Sequence, residues 1–199
     1  KNNNKMKTNN REHELIKEAF VVIERVGWDK FSLLDLLKKE KITEKEVNSF
    51  FKNKSDVIDK FSIMIDSVVE SKINIDDFRI SSKKDNLFEL IMIRLEEMKI
   101  YKKSLKKIIE SAKKKPTLLS RISNNVMNTM DFYLELTSCY NDTPIDFLKK
   151  NTLFFIYSFA FRTWLKDETD DLASTMAELD RLLTMSEMVE KKIKNFFPI

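Results

Sequence analysis

Glycine, cysteine and histidine are almost missing from this sequence. Its 199 residues include one glycine, one cysteine and one histidine, with three prolines. A phosphate-binding loop needs several glycines, and β-rich folds need many turn residues, so this composition favours neither. One cysteine and one histidine leave no intrachain disulfide, no Cys/His zinc site and no nucleophile–histidine pair. We therefore expect an all-α protein that is not an enzyme, with no catalytic residues, metal site or cofactor.

The sequence also lacks a long apolar run. A membrane-spanning helix needs roughly 18 uninterrupted apolar residues, and the richest stretch, 153–165, is shorter and contains Arg162. Residues 1–10 are polar and hold no apolar segment typical of a signal peptide. We interpret them as a disordered tail and expect a cytoplasmic protein. The lysine-rich stretch 102–115 is interpreted as a solvated helix face, with an anionic membrane or nucleic-acid surface as the alternative partner.

Apolar residues at three- and four-residue steps predict about nine helices. The first covers about 12–26 and ends at Gly27, since glycine readily adopts the left-handed conformation that closes helices. A short second helix follows Ser32, and a third begins at Thr43, which forms a capping box with Glu46. A fourth covers about 55–73, and five more follow a segment without periodicity, 74–84, which predicts a linker.

The predicted order is one long helix, two short helices joined by a tight turn, and another long helix. This is the order of elements in a helix-turn-helix domain. On this ground, residues 15–69 resemble the DNA-binding domain of TetR-type regulators. The residues that carry the resemblance are Ala19, Phe20, Gly27, Trp28 and the stretch 50–54, in which Phe51 and Lys54 match the family's Phe-x-x-Lys corner. If DNA binding is retained, the resemblance implies contacts from Thr43, Lys45, Asn48 and Lys54.

The expected reading surface carries two acidic residues, Glu44 and Glu46, where the family usually has neutral ones. A helix end that approaches phosphates gains from neutral donors and cations, so two carboxylates argue against DNA binding. We interpret this segment as one that keeps the helix-turn-helix fold but has an altered reading surface. A TetR-family transcriptional regulator that binds DNA as a homodimer, with an apolar effector, is the alternative function.

The predicted eighth helix, about 145–166, is apolar nearly all the way round. Such a helix must be surrounded, as a central core helix, a dimer face or the wall of an apolar cavity. Methionines are adaptable enough to line such a cavity, and the candidates are Met127, Met130 and Met176. For any single aromatic residue of this helix, core packing remains the default interpretation.

The C-terminal half resembles a narrower family, the coenzyme Q biosynthesis protein nine family and its bacterial relatives, a lipid-binding branch with a TetR-like fold. The resemblance rests on segments 85–94, 129–133, 162–167 and 170–181, and on Gly27 followed by Trp28. It implies a homodimer that holds an isoprenoid or quinone lipid. It further implies that the lipid is presented to a di-iron quinone hydroxylase through peripheral contact with the inner face of a membrane.

Carried onto this sequence, the resemblance implies a set of site residues. The lipid-binding residues are Met92, Met130, Phe155, Phe159, Trp164 and Met176, and the partner patch is Phe132 with Tyr133. The expected domains are a tail at 1–10, a helix-turn-helix domain at 11–73 and a C-terminal lipid-binding and dimerisation domain at 84–197. The leading hypothesis is therefore a lipid-binding accessory protein of ubiquinone biosynthesis; a scaffold without a ligand is a third option.

Overall fold

The protein is all-helical in a computed structural model, which describes residues 2–38, 42–141 and 145–196. Within those ranges it has nine α-helices and no strand, which confirms the expected fold class. The helices are α1 Asn2–Val26, α2 Glu44–Phe50, α3 Asp56–Lys72, α4 Ile75–Ile80, α5 Lys83–Glu97, α6 Lys102–Ala112, α7 Pro116–Leu136, α8 Ile145–Trp164 and α9 Ala173–Phe196. Two 3-10 helices cover Leu33–Lys38 and Lys99–Tyr101.

Three elements differ from the sequence-based expectations. The backbone of α1 is already helical from Asn2, within the range for which composition predicted a tail, because the apolar stripe marks only the buried part of a helix. The expected second α-helix is a 3-10 helix. The expected linker contains α4, which begins where the side-chain oxygen of Asn74 accepts a hydrogen bond from the Asp76 N–H at 3.1 Å.

The chain divides into two compact units, which are described separately below. The first unit comprises residues 1–67 and 98–125, and the second comprises residues 68–97 and 126–199. The first unit thus combines the helix-turn-helix with α6 and the start of α7. The domain ranges drawn from the sequence, each a continuous stretch, stay predictions.

An aromatic cluster forms the centre of the first unit. The rings of Phe20 and Phe61 stack with centroids 4.1 Å apart, and Tyr101 meets both edge-on at 5.2 and 5.0 Å. Helix α6 closes the C-terminal end of α1, because the Ser104 hydroxyl donates to the Phe20 carbonyl at 2.8 Å and the Lys107 ammonium donates to the Glu24 carbonyl at 2.6 Å. A cation suits the negative end of a helix dipole, so part of the lysine-rich stretch has a structural role.

The second unit is centred on α8, which packs against α9 and α5. Phe161 stacks between Tyr157 and Trp164, with ring centroids 6.0 and 5.3 Å away. The hydroxyl of Tyr157 accepts a hydrogen bond at 3.2 Å from Arg94, a guanidinium buried to 3% exposure. Aromatic side chains of α8 therefore fill the core of this unit.

Asp167 closes the connection between α8 and α9. Its carboxylate accepts four hydrogen bonds, from the backbone N–H and the hydroxyl of both Thr169 and Thr175, at 2.6 to 3.1 Å. Burial alone would raise the pKa of Asp167, but these hydrogen bonds outweigh it and hold the pKa well below its usual range. The ionised carboxylate therefore stabilises the start of α9.

We predict that Asp167→Ala lowers the free energy of unfolding by about 2 kcal/mol at neutral pH, because it removes a buried acceptor that caps a helix. Because the pKa of Asp167 is lower in the folded state, its ionised carboxylate stabilises the fold fully above the unfolded-state pKa, near 4. This contribution decreases as the pH falls from there toward the folded-state pKa. Denaturant titrations at several pH values measure the difference from the wild type. Glu168→Ala, at an exposed neighbour, is the control, and a difference that persists unchanged at about pH 3 would contradict the assignment.

Candidate nucleic-acid interface

The short helix α2 occupies the recognition position of the helix-turn-helix. It begins as the sequence predicts, because the Thr43 hydroxyl accepts a hydrogen bond from the Glu46 N–H at 3.3 Å. Val47 is 2% exposed and anchors the inner side of the helix. Three of the four predicted DNA-contact residues, Thr43, Lys45 and Asn48, are exposed, so they are available to a partner outside the unit.

Glu46 does not lie on that exposed surface as an unpaired charge. Its two carboxylate oxygens accept hydrogen bonds from Arg11 of α1, from Nε at 2.6 Å and from Nη2 at 3.1 Å. Hydrogen bonding to Arg11 lowers the pKa of Glu46. One of the two acidic residues that argued against DNA binding is therefore neutralised by α1, and only Glu44 remains as an exposed carboxylate of the first turn.

Lys54, the fourth predicted DNA-contact residue, is held inside the first unit. Its ammonium donates to the carbonyls of Trp28 at 3.0 Å and Phe31 at 3.2 Å, and it lies 4.9 Å from the Trp28 ring centroid. Burial lowers the pKa of Lys54 from its usual value. Lys54 of the Phe51–Lys54 corner therefore holds the loop after α1. Because its ammonium already donates to two carbonyls, it has few donors left for a hydrogen bond to phosphate.

The turn that follows α2 is organised by Asp56. One carboxylate oxygen accepts hydrogen bonds from the backbone N–H groups of Lys52 and Asn53 at 2.7 and 3.1 Å. Arg121 of α7 approaches the other oxygen at 3.6 Å and pairs with Asp59 at 2.7 Å. These contacts leave the Lys52 side chain exposed next to α2. Lys52 directly follows the predicted corner residue Phe51 but is not among the four predicted DNA-contact residues.

The residues predicted to bind lipid differ widely in burial within the second unit. Met130 and Trp164 are fully buried, whereas Phe155 and Phe159 are 59% and 51% exposed. Met92 and Met176 are half-buried, as is Phe132 of the predicted partner patch, and Tyr133 is fully buried. Of the six, Phe159 borders a surface hollow of about 350 Å³, whose other lining residues are polar or charged.

Exposed apolar residues occur on both α8 and α9, two helices that pack on each other. We use the name apolar stripe for Leu148 and Phe155 on α8, which are two turns apart, together with Met185, Met188 and Val189 on α9, which are one turn apart. Each is between 51% and 59% exposed. Isolated exposed apolar residues are ordinary, but a stripe across two neighbouring helices is typical of a surface that meets another protein.

Similarity to known proteins is found at the level of structure. The sequence matches no family model, and no curated protein matches it. The structure is similar to the crystal structure of the TetR transcriptional regulator from Nitrosomonas europaea ATCC 19718, with a TM-score of 0.74 and 21% sequence identity. The match covers 89% of this chain and 98% of that chain. This chain has the TetR-like fold.

The hypothesis of a lipid-binding accessory protein of ubiquinone biosynthesis is wrong. The solved structure described above is that of a transcriptional regulator, and its match covers 89% of this chain and 98% of that chain. The physical reason lies in α8, where Tyr157 and Trp164 are buried but Phe155 and Phe159 are more than half exposed, so its aromatic side chains do not all face the interior. The resemblance to the coenzyme Q family, its quinone ligand and its hydroxylase partner therefore find no support beyond the shared fold.

Two further sequence-based expectations concern membranes and metals. Among the described residues, none of the helices combines the length and the apolar character that crossing a membrane requires. The same residues hold no group of three histidine, cysteine or acidic side chains placed to bind a metal ion. Cys139 is buried, and its sulfur lies 3.1 Å from the Thr137 hydroxyl.

We predict that the Arg11–Glu46 pair couples α1 to α2 with a free energy of about 0.5–1 kcal/mol, the usual range for partly exposed ion pairs. Both side chains retain solvent contact, at 33% and 25% exposure, which limits the value. The measurement is a double-mutant cycle of Arg11→Ala and Glu46→Ala by chemical denaturation. Glu14→Ala is the control variant because Glu14 also meets Arg11 but is 61% exposed; a coupling near zero would show that the pair does not hold α2.

Proposed function

We propose that this protein is a transcriptional regulator of the TetR type, which binds DNA as a homodimer with α2 in the major groove. The observation that carries the proposal is the exposed face of α2, where Thr43, Lys45 and Asn48 are available while Glu46 is neutralised by Arg11. The similarity of the whole chain to a TetR transcriptional regulator supports it. In the sequence alone, Glu44 and Glu46 argued against this function.

The exposed side chains of α2 match the hydrogen-bonding groups of base edges. An asparagine pairs with the N6 and N7 atoms of adenine, and a lysine donates to the O6 and N7 atoms of guanine. We assign these roles to Asn48 and Lys45. Glu44 is unsuited to phosphate but is suited to accept a hydrogen bond from the N4 amine of cytosine. Lys52, exposed beside α2, is a cation for the phosphate backbone.

A reading helix of seven residues contacts only a few base pairs, so specific binding requires a second copy on a second half-site. The apolar stripe on α8 and α9 supplies a surface for that copy. Its five members come from two helices that pack on each other, so two such pairs can form a four-helix arrangement that buries both stripes. We therefore assign the stripe to the homodimer interface.

We predict that the full-length protein selects a palindromic duplex from fragments of its own locus or from a random pool. The logarithm of the binding constant should fall linearly with the logarithm of the salt concentration. Asn48→Ala should weaken binding by about 1–3 kcal/mol and relax the base preference at one position of each half-site. Lys52→Gln should reduce the salt slope by about one per subunit without changing the preferred sequence.

The comparison variant is Lys113→Gln with Lys114→Gln, two exposed lysines that directly follow α6. They belong to the lysine-rich stretch that was the alternative nucleic-acid surface. These changes leave the side chains of α2 intact, so the base preference should stay as in the wild type. Failure of the wild-type protein to select any duplex at low salt would refute the regulator proposal. Equal effects on the base preference in the comparison variant and in Asn48→Ala would refute the assignment of α2 as the reading helix.

We predict that Phe155→Glu converts the dimer to a monomer, because a carboxylate placed in an apolar interface loses its hydration without gaining a partner. Analytical ultracentrifugation of the wild type and the variant measures the change. Val21→Glu is the control, since Val21 is 62% exposed on α1 and lies outside the stripe. A wild type that sediments as a monomer at micromolar concentration, or a variant that remains dimeric, would contradict the assignment.

A further inference from the structure

A surface hollow of about 350 Å³ lies in the second unit, at the junction of α8 and α9. Its lining residues are Phe159, Arg162, Thr163, Lys166, Asp167, Ser174 and Glu178. Its volume falls within the range of small-molecule sites. It contains none of the residues assigned to DNA binding, and it adjoins the apolar stripe through Phe159, which follows Phe155 by one turn of α8.

The two carboxylates of the hollow differ in their partners. Glu178 is paired with a cation, because it accepts two hydrogen bonds from Arg181 of the next turn of α9, at 3.1 and 2.9 Å. Asp167 is ionised, and the four hydrogen bonds from Thr169 and Thr175 stabilise its negative charge without cancelling it.

The two cations of the hollow, by contrast, are not neutralised. Arg162 and Lys166 are exposed, and neither forms an ion pair with a residue in the described part of the chain. They lie four positions apart, at the end of α8 and in the turn that follows, where the Lys166 N–H donates to the Thr163 carbonyl at 2.9 Å. Because Arg181 neutralises Glu178, these two cations stand against the single negative charge of Asp167, and the net charge of the hollow is positive.

The remaining lining residues add hydrogen-bond donors and an apolar wall. Thr163 and Ser174 contribute hydroxyl groups, and Phe159 contributes a half-exposed aromatic ring one turn before Arg162. A guanidinium and an ammonium bind carboxylates and phosphates through charge-assisted hydrogen bonds. The ring adds contact for a flat or apolar body, so the combination suits a molecule that has both features.

We propose that this hollow binds a small organic anion, a carboxylate or phosphate monoester that carries an aromatic or short apolar group. Arg162 and Lys166 hold the anionic group, and Phe159 contacts the apolar body. We further assign the hollow as the effector site of the protein, and that part rests on the proposed regulator function. Anion binding itself does not depend on whether the protein binds DNA.

The test is a titration of the full-length protein, labelled with nitrogen-15, followed by NMR. The probes are phenyl phosphate and benzoate as organic anions, benzyl alcohol as a neutral analogue, and inorganic phosphate as an anion without an apolar group. We expect saturable shifts of the Thr163, Lys166 and Ser174 amide signals with the two organic anions, and weaker binding of the other two probes.

The variant Arg162→Gln with Lys166→Gln removes both charges but keeps polar side chains of similar length at exposed positions. It should weaken phenyl phosphate binding at least about tenfold, as loss of charge-assisted hydrogen bonds does. The variant Lys113→Gln with Lys114→Gln has the same net charge and should bind phenyl phosphate like the wild type. Thermal unfolding of both variants without probe shows whether the fold is kept.

Three results would overturn the anion site. The first is the absence of saturable shifts at the hollow, and the second is equal affinity for benzyl alcohol and benzoate. The third is a loss of phenyl phosphate affinity in the Lys113→Gln, Lys114→Gln variant that equals the loss in the Arg162→Gln, Lys166→Gln variant. Equal affinity for inorganic phosphate and phenyl phosphate would overturn the role of Phe159. If the anions bind but leave the affinity for DNA unchanged, the effector assignment is wrong. If the protein selects no duplex at all, the regulator proposal is wrong, and the NMR titration still tests the anion site independently.

Discussion

The ion pair between Arg11 and Glu46 is the interaction on which the functional interpretation depends. Helix α2 has only seven residues, too few to be stable alone, so its position relies on contacts with the rest of the first unit. The pair joins α2 to α1 through two hydrogen bonds and neutralises a carboxylate in the first turn of α2. A surface that looks too acidic in the sequence is therefore compatible with DNA in the folded protein.

Charged residues are placed in the same way elsewhere in the molecule, as internal supports for short or exposed segments. Lys54 binds two backbone carbonyls of the loop after α1, and Lys107 closes the C-terminal end of α1. Asp167 satisfies four donors at the start of α9. We propose that the charges not used within the fold, at α2 and at the hollow, are the ones that recognise ligands.

Helix α8 shows why an aromatic sequence alone does not define a ligand cavity. Trp164 and Tyr157 pack in the core, whereas Phe155 belongs to an exposed stripe and Phe159 borders a hollow with polar and charged walls. Their spacing around a helix allows each of these environments. Which side chain takes which environment depends on where α5 and α9 lie against α8, and that arrangement is not encoded in the local pattern of one helix.

The sequence by itself determined the helical class, most helix positions, the cap at Thr43 and the TetR-like order of the first helices, because helix periodicity and capping act over a few neighbouring residues. Through its resemblance to TetR-type domains, it also indicated Thr43, Lys45, Asn48 and Lys54 as candidates for DNA contact. Only the tertiary structure decided that Glu46 is paired, that Lys54 is internal and that Arg162 and Lys166 share a hollow. Arg11 lies 35 positions before Glu46, and a charge is neutralised by whichever partner the packing of distant segments brings within hydrogen-bond distance.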